Sequence, residues 1–186
     1  MELQNMAKSS TKLFSLLLRI AALVSTLSAA IIMATSRETV SFFTITFEAK
    51  YSDVSAFKYF VAANILASLY SFAAVFVPQE GLLGKLLVAF DAIFTLLLTS
   101  SLSASLAIAE VGKHGNSRAG WLPICNQVPE YCKHSGGALG AGFISVFIYM
   151  ITVVFSAYNT FLVNHGQPQA HKMTEKNNNT ITVTDM

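Results

Sequence analysis

This sequence is short of charge. Only 12% of its 186 residues are Asp, Glu, Lys or Arg, against 53% hydrophobic residues and a mean hydropathy of +0.54. A soluble domain carries about 25% charged residues to cover its surface, so a water-soluble globule is excluded. The net charge of +2 comes without an aromatic-interleaved basic patch, which argues against nucleic acid. There is no Gly-rich phosphate loop, and all four histidines (His114, His134, His165, His171) fall outside the apolar runs with no nucleophile motif around them. Neither an enzyme nor a bound cofactor is indicated, and catalytic and cofactor-binding residues are none.

What the chain does have is long apolar runs. Residues 13–36 contain one charge (Arg19), 59–77 none, 86–109 one (Asp91) and 135–163 none. At about 1.5 Å per helical residue each can cross a hydrocarbon layer roughly 30 Å thick. This predicts an all-α membrane protein, four transmembrane helices in an antiparallel bundle, occupying residues 13–163. Outside the spans remain an N-terminal tail (1–12), outer loops 37–58 and 110–134, an inner turn 78–85, and a polar, Asn-rich tail 164–186 expected to be disordered. The first run continues through IIMATS to Arg37, too long for a signal-peptide core, and is read as a retained anchor. Pro78 ends the second helix, and Gln79-Glu80-Gly81 turns tightly into the third.

Sidedness is not carried by lysine and arginine. Lys8, Lys12, Lys85, Lys172 and Lys176 lie on the face shared by the termini; Arg37, Lys50, Lys58, Lys113, Arg118 and Lys133 lie on the other, so no positive-inside bias emerges. The two cysteines are more telling. Cys125 and Cys132 both fall in the loop before the fourth span, and such a pair suits a disulfide on an oxidising, outward face. A zinc site with His114 and His134 is the alternative, although Cys-x6-Cys with scattered histidines matches no common zinc spacing. With four crossings both termini are then cytoplasmic, and the sequon Asn178-Asn179-Thr180 is silent.

A lone charge at the centre of a span costs about 2.5–3.5 kcal/mol on insertion scales, so Arg19 and Asp91 call for a partner or a use. Arg19 lies seven residues past Lys12 and Asp91 six past Lys85, on helices running the same way, which puts opposite charges at one depth. An ion pair between the first and third helices is the reading preferred here, with separate snorkelling or a proton or ion pathway as alternatives. Polar residues also form stripes: Ser15, Arg19, Ala22 and Thr26; Asn64, Ser68 and Ser71; Asp91, Thr95, Thr99 and Ser103; Ser145, Thr152, Ser156 and Asn159. In lipid these stripes turn toward one another and are expected to hydrogen-bond between helices. Gly136 and Gly140 make a Gly-xxx-Gly pair for helix packing, within the chain or with a second copy.

The outer loops are distinctive. In TITFEAKY (44–51) polar and apolar residues alternate, predicting a strand laid over the bundle, with Phe47 and Tyr51 packing on the other loop. That second loop, HGNSRAGWLPICNQVPEYC, holds the only Trp (Trp121) and is expected to form a small rigid cap.

ETVSFFTITFEAKYSD, GNSRAGWLPICNQVPEYC, Arg19 and Asp91 together resemble the Casparian strip membrane domain proteins and the CASP-like proteins of plants, over about Leu13 to Val163. The outer-loop signature comprises Glu38, Phe42, Phe43, Thr44, Phe47, Tyr51, Asp53, Trp121 and Pro123. Val40-Ser41 stands where strip-forming members have Leu-Pro, so the resemblance is to the CASP-like proteins. It implies a four-span, MARVEL-like fold in the plasma membrane with cytoplasmic termini, a short strand-containing first extracellular loop and a disulfide-closed second one. It also implies homo- and heterodimers with related CASP-like proteins, contacts with membrane lipid, and extracellular or cell-wall partners recruited by the outer loops. The function expected is therefore a scaffold; a small transporter or channel using Arg19 and Asp91 is the alternative.

Overall fold

The computed structural model describes the backbone of residues 2–42, 45–77 and 81–184; side chains are described for these except residues 2–8, 42, 45, 47 and 162–184. The elements are α1 (Glu2–Thr35), β1 (Arg37–Phe42), β2 (Ile45–Lys50), a 3-10 turn (Tyr51–Asp53), α2 (Ser55–Phe76), α3 (Gly81–His114) and α4 (Pro129–Thr184). Within them Ser9–Thr35, Ser55–Phe76, Gly81–His114 and Pro129–Phe161 are long and apolar enough to cross a membrane. The chain is a four-span helical membrane protein, as its composition predicts.

The helices run past the apolar stretches. α3 covers 81–114 where the hydropathy marks 86–109, because an apolar run measures lipid thickness whereas a helix continues while its backbone bonds continue. Lys113 and His114 in its last turn complement the negative end of the helix dipole. α4 begins at Pro129, a residue pre-set for the first helical position, with Glu130 in the first turn. Cys132 therefore sits on α4 and not in the loop where the sequence puts it. At the other end α4 keeps helical geometry to Thr184, through the segment whose composition predicts disorder; a helix already nucleated extends without a second nucleation cost. The expected Pro78–Glu80 turn lies outside the described residues, and Gly81 beside it has φ +65°, which glycine adopts freely.

α1 packs against α2 and α4, and α3 packs against the same two, so α1 and α3 face each other across a diagonal. Small residues sit where helices touch: Ala22, Ala29, Ala63, Ala67 and Ala138 are buried, while Leu17, Val24, Leu69, Leu96 and Phe161 point outward. This is the arrangement lipid favours, since without water only close packing and polar contacts draw helices together. Larger core residues, Met33, Phe60, Leu98 and Tyr149, fill the centre.

The stripes of α1 and α2 face inward and that of α4 does so at Ser145 and Thr152, with Ser156 and Asn159 half-buried; that of α3 turns away. Asp91 is buried, but Thr95 and Thr99 are half-buried and Ser103 is exposed. A spacing of four residues turns about 400°, so the stripe drifts about 40° per step away from the core, and Leu98, Ser101, Leu102 and Ser105 replace it there. The hydroxyls also do something other than link helices. Thr26, Ser68, Ser145 and Thr152 donate to carbonyls of their own helix, Ala22, Ile65, Ala141 and Ile148, at 2.8 to 3.0 Å. Their role is to be small and internally satisfied.

Beside the loop that joins α3 to α4, β1 and β2 form an antiparallel hairpin, Arg37 opposite Lys50 through Phe42 opposite Ile45. Only β2 was expected. A two-stranded sheet is marginal alone, and this one is anchored by buried Ala49 and by Val40 and Tyr51, which pack on the core.

Candidate functional site

Arg19 and Asp91 each stand ten residues into spans that begin at Ser9 and Gly81, hence at one depth. The structure brings them together across the bundle diagonal. Arg19 Nη1 donates to Asp91 Oδ1 at 3.1 Å and Nη2 to Oδ2 at 3.0 Å, a bidentate pair with exposures of 3% and 0%. Two parallel charge-assisted bonds are the strongest arrangement available to a guanidinium and a carboxylate. Neither side chain snorkels.

Tyr70 joins the pair, and sequence reasoning missed it. Its hydroxyl donates to Asp91 Oδ1 at 2.6 Å, near the Leu87 carbonyl at 3.2 Å, while its ring stacks on Phe94 with centroids 4.4 Å apart. α2 is thereby fastened to α3, and through Asp91 to α1. Tyr149 does the same for α4: its hydroxyl bonds Ser71 Oγ at 2.6 Å and reaches the Ala67 carbonyl at 2.7 Å. All four helices thus meet polar partners around the centre. The available signal was that a tyrosine far from the ends of a span is out of its usual interfacial belt and must hydrogen-bond when buried. Among the described residues two buried side-chain atoms lack protein partners, Arg19 Nε and Asn64 Oδ1. The fastening is strong but not saturated.

On the disulfide side Cys125 and Cys132 are joined, with Cα atoms 5.6 Å apart. The zinc alternative falls, since both sulfurs are spent on each other; His114 Nδ1 instead contacts Glu110 at 2.8 Å. Among the described residues no three His, Cys, Asp or Glu side chains converge to hold a metal. Gly115, at φ +70°, lets the loop double back, because a Cβ there would meet the Trp121 carbonyl oxygen at 2.7 Å. Asn116 and Trp121 then exchange backbone bonds of 2.8 and 3.0 Å.

The signature residues divide by role. Glu38 reaches from β1 to the start of α4, where its Oε2 accepts from the Tyr131 backbone N–H at 2.8 Å, while Tyr131 OH donates to the Lys50 carbonyl at 3.3 Å. A carboxylate at a helix N-terminus satisfies an orphan donor and meets the positive dipole end. Asp53 Oδ2 accepts from Lys50 N–H at 3.2 Å, and Tyr51 packs on the core. The backbones of Phe42 and Phe47 are in the hairpin, opposite Ile45 and Val40, and their side chains, like residues Phe43 and Thr44, lie outside the described set. Pro123 is half-buried, whereas Trp121 is 57% exposed. Gly136 and Gly140 are not brought against another helix: an added Cβ at either meets nothing within 4 Å. Gly142 is instead the close approach, lying against the Phe60 ring.

Compared with known proteins, residues 8–148 match the model of the Casparian strip membrane protein domain. The chain is 56% identical to CASP-like protein 1C3 of Populus trichocarpa over 151 residues, covering 81% of this chain and 88% of that one. It is 54% identical to CASP-like protein 1C2 of Vitis vinifera over 153 residues (82% and 95%) and 52% identical to CASP-like protein 1C1 of Arabidopsis thaliana over 153 residues (82% and 93%). No solved structure matches.

Proposed function

We propose that this chain, which belongs to the Casparian strip membrane protein domain family, is a plasma-membrane scaffold that assembles with itself and with related CASP-like proteins. In this reading it organises a membrane domain, and its disulfide-side loops recruit extracellular or cell-wall-modifying partners. The termini face the cytoplasm and the disulfide the oxidising exterior.

The observation that carries this reading is the closure of the Arg19–Asp91–Tyr70 group on itself. Its charges are spent on each other in a bidentate contact, and the Tyr70 hydroxyl donates to the carboxylate. A relay through hydrocarbon needs titratable groups in series. A fastened bundle instead offers a rigid body whose outer surface and loops are free for assembly. Photobleaching of a tagged copy in plant plasma membrane tests it, with immobile patches as the expected result. Ion flux through purified protein in liposomes, abolished by Asp91→Asn, would overturn it in favour of a transporter or channel.

A further inference from the structure

Between α3 and α4, just under the disulfide, lies a groove of about 770 Å3. Its walls are apolar, with Leu106 and Ala109 from α3 and Leu139 and Phe143 from α4. Gly136 and Gly140, one turn apart, flatten the α4 wall, and a Cβ on either would point into open space. Lys113 and Lys133 line the same groove at its loop end. Glu110 also lines it, 2.8 Å from His114, so with two lysines against one carboxylate the charged lining is positive in balance.

Dimensions and charge select the occupant. From Lys133 to Phe143 the α4 wall descends ten residues, roughly 15 Å at 1.5 Å per residue, which is the depth of one leaflet of a hydrocarbon core about 30 Å thick. A groove open to the bilayer at that depth meets acyl chains before anything else. Two lysines at the headgroup level then favour a phosphate that carries no compensating cation. We propose that this groove holds one anionic phospholipid of the disulfide-side leaflet, an acyl chain lying along Gly136, Gly140 and Phe143 and the phosphate between Lys113 and Lys133. The site depends on membrane embedding and not on the scaffold reading.

The test uses the full chain in phosphatidylcholine vesicles doped with phosphatidylglycerol bearing a diazirine at its chain end. Photolysis followed by peptide mass spectrometry is expected to place adducts on 139–143 and 106–109. Gly136→Leu and Gly140→Leu grow a side chain into the groove without striking protein, so they should abolish those adducts while thermal unfolding and the Cys125–Cys132 bond stay unchanged. Lys113→Gln and Lys133→Gln should each lower the preference for phosphatidylglycerol over a phosphatidylcholine probe about fivefold, the effect of one lysine near a charged lipid surface; this arm stands even if a leucine variant fails to fold. Adducts spread evenly over all outward faces, or unchanged in the variants, would overturn the site. So would a dimer lost on Gly140→Leu with no adducts at 139–143 in the parent protein, which would seat a second copy in the groove.

Discussion

The two ends of the bundle are held by different chemistry. Toward the face bearing the termini, the helices are tied by side chains alone: Arg19, Asp91 and Tyr70 in one cluster, Tyr149 and Ser71 in another. Toward the opposite face they are tied by a covalent bond, a hairpin and a capped helix start. The difference follows from the surroundings. Inside hydrocarbon no water relieves a broken polar contact, so every member of a cluster depends on the others. At the interface water can replace a lost hydrogen bond, and fixing a loop there needs closure of the chain rather than strength of contact. The inner ties are therefore expected to couple strongly and the outer ones to add.

The largest effect belongs to the buried pair. Arg19→Leu or Asp91→Leu leaves the remaining charge without its counter-ion and should cost about 3–5 kcal/mol, whereas the double variant removes the mismatch. Folded yield and thermal unfolding of the two single variants and the double should show strong coupling, with the double recovering much of the loss. A double variant worse than either single one would mean the two charges act independently, and the contrast between the ends would vanish.

Opening the disulfide ranks second. Cys125→Ser with Cys132→Ser should cost about 2–3 kcal/mol, because a short loop gains little chain entropy when released. The loss should add to that of Asp91→Leu without coupling, since the two sites stand at opposite ends of the spans. Non-reducing mass spectrometry of the mature protein should show the bond intact, and free thiols would contradict the outward placement of this face.

Much of this contrast was legible in the residues, and for identifiable reasons. Two opposite charges in otherwise apolar runs are conspicuous because burying either alone is so costly. Their meeting was suggested by similar spacings, seven residues past Lys12 and six past Lys85. Tyr70 and Tyr149 were missed, since tyrosine is ordinary in membrane proteins and only its depth in a span marks it. β1 was missed although the signal existed: a single strand at 44–51 leaves a row of unpaired backbone groups and so demands a partner nearby. The inward stripe of α3 misled because a step of four residues only approximates the helical repeat. Cys132 was placed in a loop because hydropathy falls at the interface before the helix ends. Gly136 and Gly140 were expected to seat a helix, but within the chain none packs there, because a Gly-xxx-Gly spacing makes a face flat without specifying what covers it.

Tyr70→Phe sharpens the inner side of the comparison. It removes one donor to Asp91 and leaves the bidentate pair, so the expected loss is about 1–2 kcal/mol, the upper range of interhelical hydrogen bonds in membranes. The effect should disappear in the Arg19→Leu, Asp91→Leu background, where the hydroxyl has no carboxylate to serve. A loss that persists there would assign the hydroxyl to the Leu87 carbonyl instead.

The smallest effect tests the outer side. Glu38 crosses from the hairpin to the first turn of α4, and its carboxylate accepts from the Tyr131 N–H while facing the positive end of the helix. Glu38→Gln keeps an acceptor and removes the charge, so it should cost a few tenths of a kcal/mol, whereas Glu38→Ala removes both and should cost about 1 kcal/mol. Global unfolding will register this only weakly, whereas amide exchange will resolve it, because the loss is local to the first turn of α4. The Tyr131 amide should exchange faster in Glu38→Ala than in the parent, with the Ser71 and Leu98 amides unaffected. If exchange rose equally throughout the bundle, Glu38 would belong with the coupled inner ties, and the division between a cooperative centre and an additive cap would fail at that residue.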